Sequence, residues 1–211
     1  MYKIQLWSDR EVCVYGKEDG NAVEKDHVVH NNFFSVTQTH GTGIFVVEKN
    51  EFRPWKLHHE ADALFTIYDK PLGVYVADCL PVVLVGNNAQ AIVHCSRKTI
   101  HNWLLQSTLQ LFHRHNEVIT AVYLWPSIRH YEVGEEFDHY FPESFLHPYG
   151  DKYLFDMPSY VISILTARGV SHGAIVVDPW CTWTHTDKFR GWRKWDKTER
   201  NFVGVRRCLI K

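Results

Sequence analysis

Three short apolar runs within residues 73–96 constrain this chain more than any other feature. The runs cover 74–76, 82–85 and 91–93, and are separated by Asp78-Cys79-Leu80-Pro81 and by the turn Asn87-Asn88. Short β-branched runs bounded by Gly, Asn and Pro are typical of buried strands. Because Pro81 has no N–H to donate to a strand ladder, we expect the chain to break or bulge beside Cys79.

The same segment places a thiol and an imidazole at strand ends. Cys79 lies at the expected break, His94 ends the third run, and His40 precedes a further predicted strand at 44–47. Singly, each is more often a structural residue. Zinc binds such nitrogen and sulfur ligands, and catalytic zinc sites keep one position open for water. The pattern therefore predicts a metal site formed by His40, Cys79 and His94.

Two polar residues flank these candidate ligands. Asp78 directly precedes Cys79, and Gln38 lies two residues before His40. Asp78 is a candidate catalytic group with Cys79, either orienting a ligand or accepting a proton. Its structural alternative is to cap the turn before Pro81. Gln38 is a candidate substrate-binding group.

The remaining patterns predict an α/β or α+β fold with helices covering sheets. Helical periodicity indicates helices at 98–115, with Ile100, Trp103, Leu104, Leu111 and Phe112 on one face, at 157–167, and over a short segment at 134–140. Further strands are predicted at 43–48, 63–67, 118–124, 174–177 and 202–210, with a polar loop between the first two. The length of 211 residues suits one domain spanning 1–211.

Composition narrows the classes of function. Apolar residues make up 45% and charged residues 22%, which is typical of a globular chain. The formal net charge of -1 gives no case for nucleic acid or an anionic membrane as a partner. We see no secretory signal. Asp78 and Pro81 interrupt the longest apolar stretch, which argues against a membrane-spanning helix. Five cysteines without zinc-knuckle spacing favour a reducing, cytoplasmic location.

Several motifs, in order, resemble the laccase-domain family, whose members are also called multicopper polyphenol oxidoreductases or peptidoglycan editing factors. The motifs are QTHGTG at 38–43, Ala61-Asp62-Ala63, VADCLPVVL at 76–84, a strand ending in His94, LWPSIRHYEVGEE at 124–136, and Cys181-Thr182 followed by KFRGWRK. Their shared order from about residue 36 onward makes the resemblance fairly specific.

The resemblance implies a four-layer fold of two sheets between helices. It also implies zinc, with copper as the alternative, held by His40, Cys79 and His94. Activities in the family include phosphorolysis of purine nucleosides, adenosine deamination and phenol oxidation. A nucleoside and phosphate are thus the expected small-molecule partners, and the oligomeric state is left open.

Within the matching segments, Arg97 and Arg193 are the favoured phosphate-binding residues, because Arg forks suit phosphate. Other cationic candidates are Lys98, Arg190 and Arg200, and Trp180, Trp183, Trp192 and Trp195 are candidates for a base-stacking wall. The chain departs from the family at HCSRKT, where the family has His-Ala-Gly-Trp-Arg-Gly, and at Trp125, where it has Gly. These departures affect substrate identity more than the metal site.

Three alternatives to a purine nucleoside enzyme stay open. Cys79 with a histidine base is compatible with a metal-free amidase or hydrolase, including peptidoglycan-precursor editing. Copper-dependent phenol oxidation is the second, although copper centres need more close histidines than the sequence places. The third is a non-catalytic, diverged member.

Overall fold

Two β-sheets packed face to face form the centre of the fold. The structure is a computed structural model and describes residues 1–5, 9–25, 27–51, 56–134 and 140–208. One sheet is antiparallel and contains, in spatial order, β1 (Tyr2–Gln5), β2 (Arg10–Tyr15), β15 (Asn201–Arg207) and β7 (Leu72–Val76). The other is mixed and contains β14 (Ile175–Val177), β10 (Ile119–Leu124), β8 (Leu80–Gly86), β9 (Gln90–Cys95), β6 (Ala63–Thr66) and β4 (Ile44–Val46).

Smaller elements complete the chain. A three-stranded sheet has the order β11 (His130–Val133), β13 (Lys152–Asp156) and β12 (Leu146–Tyr149), and β3 (Ser35–Thr37) pairs in parallel with β5 (Lys56–Glu60). The helices are α1 (Val29–Asn32), α2 (Arg97–His101), α3 (Leu104–Arg114) and α4 (Met157–Ala167). Single 3-10 turns lie at Lys17–Asp19, Glu143–Phe145, His172–Ala174 and Trp192–Lys194. No helix in these described ranges is long and apolar enough to span a membrane.

The central strand β8 shows why the layers form. Val83 and Val85 pack toward the four-stranded sheet, whereas Val82 and Leu84 pack toward α3 and α4. Both faces of the strand are buried, which explains its continuous apolar sequence. Burying each such side chain contributes about 1.5–3 kcal/mol. A third cluster around Phe33, beside α1, covers the outer face of the four-stranded sheet. The predicted α/β fold with four layers is therefore confirmed.

Most predicted elements are present, but the helix predicted at 98–115 is interrupted. Trp103 has a left-handed backbone with φ 67° and separates α2 from α3. Its side chain is 61% exposed, so its predicted place on the apolar face was wrong. The residues between the strands at 44–46 and 63–66 include β5 rather than only a loop. Residues 135–139 and 209–211, which fall in the helix predicted at 134–140 and the strand predicted at 202–210, lie outside the described residues.

Pro81 lies inside β8, opposite His94 of β9, so the proline itself does not break the strand. Its carbonyl accepts a hydrogen bond from the Trp125 N–H, just beyond the end of β10. Backbone N and O of one strand residue point to the same side, so the absent N–H faces Trp125, beyond the end of β10, and no hydrogen bond to β9 is lost. The predicted break beside Cys79 is present between β7 and β8, where Asp78 has a left-handed backbone with φ 79°.

Glu117 stabilises the turn that joins β8 to β9. Its carboxylate accepts hydrogen bonds from the backbone N–H and the side-chain amide of Asn88, at 2.8 and 3.0 Å. Burial raises the pKa of this carboxyl, but the N–H groups around Asn88 outweigh it and leave the pKa lowered. A lowered pKa means that the ionised group stabilises the fold near neutral pH and loses that effect as pH falls through its folded pKa.

We therefore expect Glu117→Gln to lower the free energy of unfolding at pH 7 by about 1 kcal/mol. The melting temperature should fall accordingly. The difference from the unmodified protein should shrink at about pH 3, below the usual glutamate pKa. Calorimetry at both pH values measures it, with Glu24→Gln as a control. An equal difference at the two pH values would contradict the assignment.

Candidate metal centre

Asp62 organises the loop that carries His40. Its Oδ2 accepts hydrogen bonds from the backbone N–H groups of Thr39, at 3.1 Å, and Gly41, at 2.7 Å. His40, between them, has a left-handed backbone with φ 58°. Asp62 is fully buried immediately before β6, so a rigid sheet edge fixes the position of His40.

The same carboxylate orients His94 of β9. The Asp62 Oδ1 lies 2.7 Å from the His94 Nδ1. A carboxylate can only accept a hydrogen bond, so Nδ1 carries the proton and Nε2 is left as the ligating atom. Burial raises the pKa of Asp62, but the hydrogen bonds from His94 and from the Gly41 N–H outweigh this effect and leave the pKa lowered. Asp62 therefore stays ionised.

Cys79 completes a group of three donors. The ligand atoms of His40, Cys79 and His94 all lie within 4.8 Å of one another, and the two imidazole centroids are 4.9 Å apart. His94 is buried, Cys79 is partly buried and His40 is exposed, so the group opens to one side. Two imidazoles and one thiol suit zinc, and three protein ligands leave a position open. The structure thus brings together the three residues proposed from the sequence.

The donors also polarise one another. Burial raises the pKa of the Cys79 thiol, but the adjacent His94 and His40 rings lower it to about 6. Burial lowers the pKa of His94, whereas Cys79 and Asp62 raise it to about 9. The two histidines therefore favour the thiolate of Cys79, which is the form that binds metals or attacks electrophiles.

Asp78 attaches a distant loop to this centre. Its carboxylate accepts hydrogen bonds from the Thr182 hydroxyl at 2.7 Å and from the Arg193 backbone N–H at 2.8 Å. A Cβ at Gly191 would lie 2.8 Å from the Asp78 Oδ1, so the close approach requires glycine there. With both oxygens engaged by this loop, the geometry favours a structural role for Asp78 over a proton-accepting one, although its partners are in the loop rather than at the turn before Pro81.

A cavity of about 660 Å³ opens over the three donors. Four cationic residues line it, namely Arg97, Lys98, Arg193 and Arg200. Tyr75, Tyr131 and Trp192 supply aromatic surface. The Arg193 guanidinium lies 5.0 Å from the Tyr131 ring centroid, and the Arg200 guanidinium lies 5.1 Å from that of Trp192. The cavity is therefore suited to an anion next to a planar group.

Gln38 lines the same cavity but is bound to the backbone. Its amide nitrogen donates to the Tyr75 carbonyl and its oxygen accepts from the Tyr75 N–H, both at 2.8 Å. The side chain thereby connects the loop before His40 to β7. This pairing favours a bracing role over the substrate-binding role suggested by the sequence.

Several other candidates from the sequence lie outside the cavity lining. Arg190 is buried, its Nε donates to Glu199 at 2.6 Å, and its backbone pairs with the Asn201 side chain. Cys181 is buried and, in the part of the chain that the structure describes, is absent from the cavity lining. Among the described residues, Trp180, Trp183 and Trp195 are also absent from the cavity lining, and Trp183 and Trp195 are exposed.

Two site residues were not assigned a role from the sequence. Asp62 stands between Ala61 and Ala63 at the start of a buried strand, and an isolated acid among apolar residues was the available signal. Tyr131 is buried, and burial together with Cys79 raises its pKa despite Arg97 and Arg193. Its hydroxyl is therefore a proton-carrying donor near neutral pH.

Comparison with known proteins gives a family match over most of the chain. A family model described as multi-copper polyphenol oxidoreductase laccase matches residues 9–206. A protein of Aquifex aeolicus named purine nucleoside phosphorylase is 29% identical over 126 residues, which are 58% of this chain and 60% of that protein. The match thus spans less than two thirds of that relative's length.

Solved structures share the fold. A Bacillus licheniformis hypothetical protein, YfiH, has a TM-score of 0.80 at 18% identity over 95% of this chain and 93% of its own. YlmD from Geobacillus stearothermophilus has a TM-score of 0.77 at 18% identity over 94% and 91%. A Neisseria meningitidis protein of the DUF152 family has a TM-score of 0.74 at 21% identity over 98% of both chains.

Proposed function

The chain belongs to the multi-copper polyphenol oxidoreductase laccase family, and on that premise we propose that it is a metal-dependent enzyme acting on purine nucleosides. The reactions would be phosphorolysis, adenosine deamination or both. The observation that carries this proposal is the group of His40, Cys79 and His94 at the base of a cation-lined cavity. The name of the Aquifex aeolicus relative supports the substrate class. The five free cysteines support a reducing, cytoplasmic location.

The donor set fits a divalent ion. His40, Cys79 and His94 would hold zinc, with copper as the alternative, because imidazole and thiolate are the ligand types that zinc binds in proteins. Such an ion supplies Lewis-acid chemistry when bound. Asp62 keeps the His94 proton on Nδ1, away from the ligating nitrogen.

Phosphate binding would depend on the cationic wall. The cavity lining contains four cationic residues, namely Arg97, Lys98, Arg193 and Arg200. It contains one acidic residue, Asp78, whose carboxylate is already hydrogen-bonded. In phosphorolysis a phosphate oxygen bonds to the ribose anomeric carbon while the bond to the purine nitrogen breaks, and the base leaves after gaining a proton. The wall would hold phosphate for this displacement.

The base would pack against the aromatic side of the cavity. Trp192 lines the cavity and is 45% exposed, so its indole would offer apolar surface to a planar ligand. A volume of about 660 Å³ falls within the range of small-molecule sites. The aromatic and cationic surfaces together match the two parts of a nucleoside-plus-phosphate pair.

Purified protein incubated with adenosine, inosine or guanosine, with and without phosphate, tests the proposal. We expect free base only when phosphate is present, and inosine from adenosine in its absence if deamination also occurs. Cys79→Ala provides the inactive reference. The proposal fails if the zinc-loaded and copper-loaded proteins both form neither product above that reference.

Arg193 offers a sharper test of phosphate binding. Arg193→Met removes the guanidinium but leaves the backbone N–H that binds Asp78, so the loop should keep its position. A charge-assisted hydrogen bond is worth about 1.5–3 kcal/mol, so the KM for phosphate should rise about 10–100-fold. Steady-state kinetics with varied phosphate measure this, with Arg114→Met at the end of α3 as the control. An unchanged phosphate KM would contradict the assignment.

A cysteine hydrolase is the second candidate function. The thiolate of Cys79 beside the His94 ring is the arrangement that a thiol nucleophile requires. Chelation should abolish activity in a metal enzyme and leave a thiol enzyme active. Alkylation of chelator-treated protein, followed by a panel of amide substrates, separates the two candidates.

A further inference from the structure

The three-stranded sheet has two chemically different faces. Tyr131, Val133, Leu146 and Phe155 belong to the hydrophobic core on one side. Alternation along the strands places His130 and Asp156 on the other side, where they are directly opposite each other in the antiparallel register. His147 of β12 is opposite Leu154, which lies on that same outer face. Two imidazoles and a carboxylate from three strands thus share one face.

These side chains are close enough to share one ion. One candidate ligand atom from each of His130, His147 and Asp156 lies within 4.8 Å of the others. The His130 Nε2 is 3.6 Å from the Asp156 Oδ2. Zinc bonds of 2.0–2.1 Å place neighbouring tetrahedral ligands about 3.4 Å apart. The remaining distance can close by side-chain rotation, because the His130 side chain is 47% exposed.

We infer that His130, His147 and Asp156 form a second divalent transition-metal site, separate from the cysteine-containing centre. Imidazole nitrogens and a carboxylate select zinc or copper over calcium and magnesium, which take oxygen ligands. The three ligands come from three adjacent strands, so a bound ion would connect β11 and β12 to the central strand β13.

The position of Asp156 has a structural explanation that leaves room for this role. Its Oδ1 accepts the Ser159 N–H at 3.1 Å and its Oδ2 accepts the Ser159 hydroxyl at 2.7 Å, which caps α4. A carboxylate has about four acceptor positions, so capping does not exhaust them. Capping also gives no reason for two imidazoles on the neighbouring strands to approach the same group.

The outer site lies behind the cavity wall. Tyr131 and Met157 line the cavity, and they are the chain neighbours of His130 and Asp156. An ion that joins the three strands would therefore stiffen the wall that holds Tyr131. The inference stands on the outer residues alone and does not depend on the reaction at the inner centre.

Cobalt titration of untagged, chelator-treated full-length protein tests whether this second metal site exists. Cobalt replaces zinc and gives thiolate charge-transfer bands only when a cysteine is a ligand. We expect two ions per chain, of which one produces those bands. Cys79→Ala should still bind one ion without the bands. His147→Ala should bind one ion with them, and His172→Ala serves as the surface-histidine control and should bind both.

Asp156→Asn separates ligation from helix capping. Asparagine is as good a cap as aspartate, so the melting temperature in chelator should stay unchanged. The second ion should nevertheless be lost, because the anionic ligand is gone. Retention of both ions by His147→Ala and Asp156→Asn would overturn the inference, as would a single ion per chain in the unmodified protein that disappears in Cys79→Ala.

Discussion

Replacing Cys79 with alanine is expected to remove the ion held by His40, Cys79 and His94 and to lower nucleoside turnover by about 10³-fold, because a catalytic ion supplies several kcal/mol of transition-state stabilisation. The variant keeps His40 and His94 but loses the anionic ligand between them. Elemental analysis and kcat/KM for inosine with phosphate measure the two effects. Both should change together if the three donors act as one centre.

Cys208→Ala is the matched control for the loss of a thiol. Cys208 is half-buried, follows β15 and is not among the residues that line the cavity. Its replacement should leave metal content and turnover unchanged. Full activity of Cys79→Ala that has lost the ion of this centre would contradict the metal-dependent function, whereas activity that survives chelation but not Cys79→Ala would favour the thiol hydrolase.

Local geometry explains why two of the three donors predicted from the sequence meet. Cys79 and His94 flank a tight turn at Asn87-Asn88, and antiparallel pairing around such a turn fixes the register. The structure accordingly pairs Pro81 with His94 and places Cys79 at the same strand end. His40 reaches this point through the long-range pairing of β4 with β6, for which periodicity gives no signal. The sequence placed His40 just before a predicted strand and proposed it as a ligand from its residue type, and the family resemblance supported that grouping.

The predictions that differ from the structure concern residues whose roles depend on contacts formed only in the folded chain. Arg190 and Arg193 are three residues apart in one basic loop, yet the first pairs with Glu199 and the second faces the cavity. Trp103 has an apolar side chain at helical spacing, but the backbone turns left-handed there and exposes it. Gln38 has suitable chemistry for a substrate, yet the Tyr75 backbone occupies its amide. Composition and spacing carry no information about such pairings.

The second large effect is expected from Asp62→Ala. Asp62 accepts hydrogen bonds from the Thr39 and Gly41 N–H groups and from the His94 Nδ1, so its loss leaves a buried imidazole without an acceptor. Breaking a buried pair costs about 3–5 kcal/mol. We expect the lower end, because the loop that carries Thr39 is exposed and its N–H groups can bind water. Chemical denaturation in the presence of chelator measures this free energy of unfolding apart from metal.

Metal affinity should fall about 10–100-fold in Asp62→Ala, as is usual when the partner of a ligating histidine is removed. Asp62→Asn distinguishes this effect from instability. An asparagine oxygen can still accept the loop N–H groups, but its NH₂ group then faces the His94 Nδ1, which must accept. The proton moves to the Nε2, the atom that would bind the ion. Asp62→Asn should therefore unfold at nearly the denaturant concentration of the unmodified protein but bind zinc as weakly as Asp62→Ala. Unchanged zinc affinity in Asp62→Asn would show that Asp62 does not set the tautomer of His94.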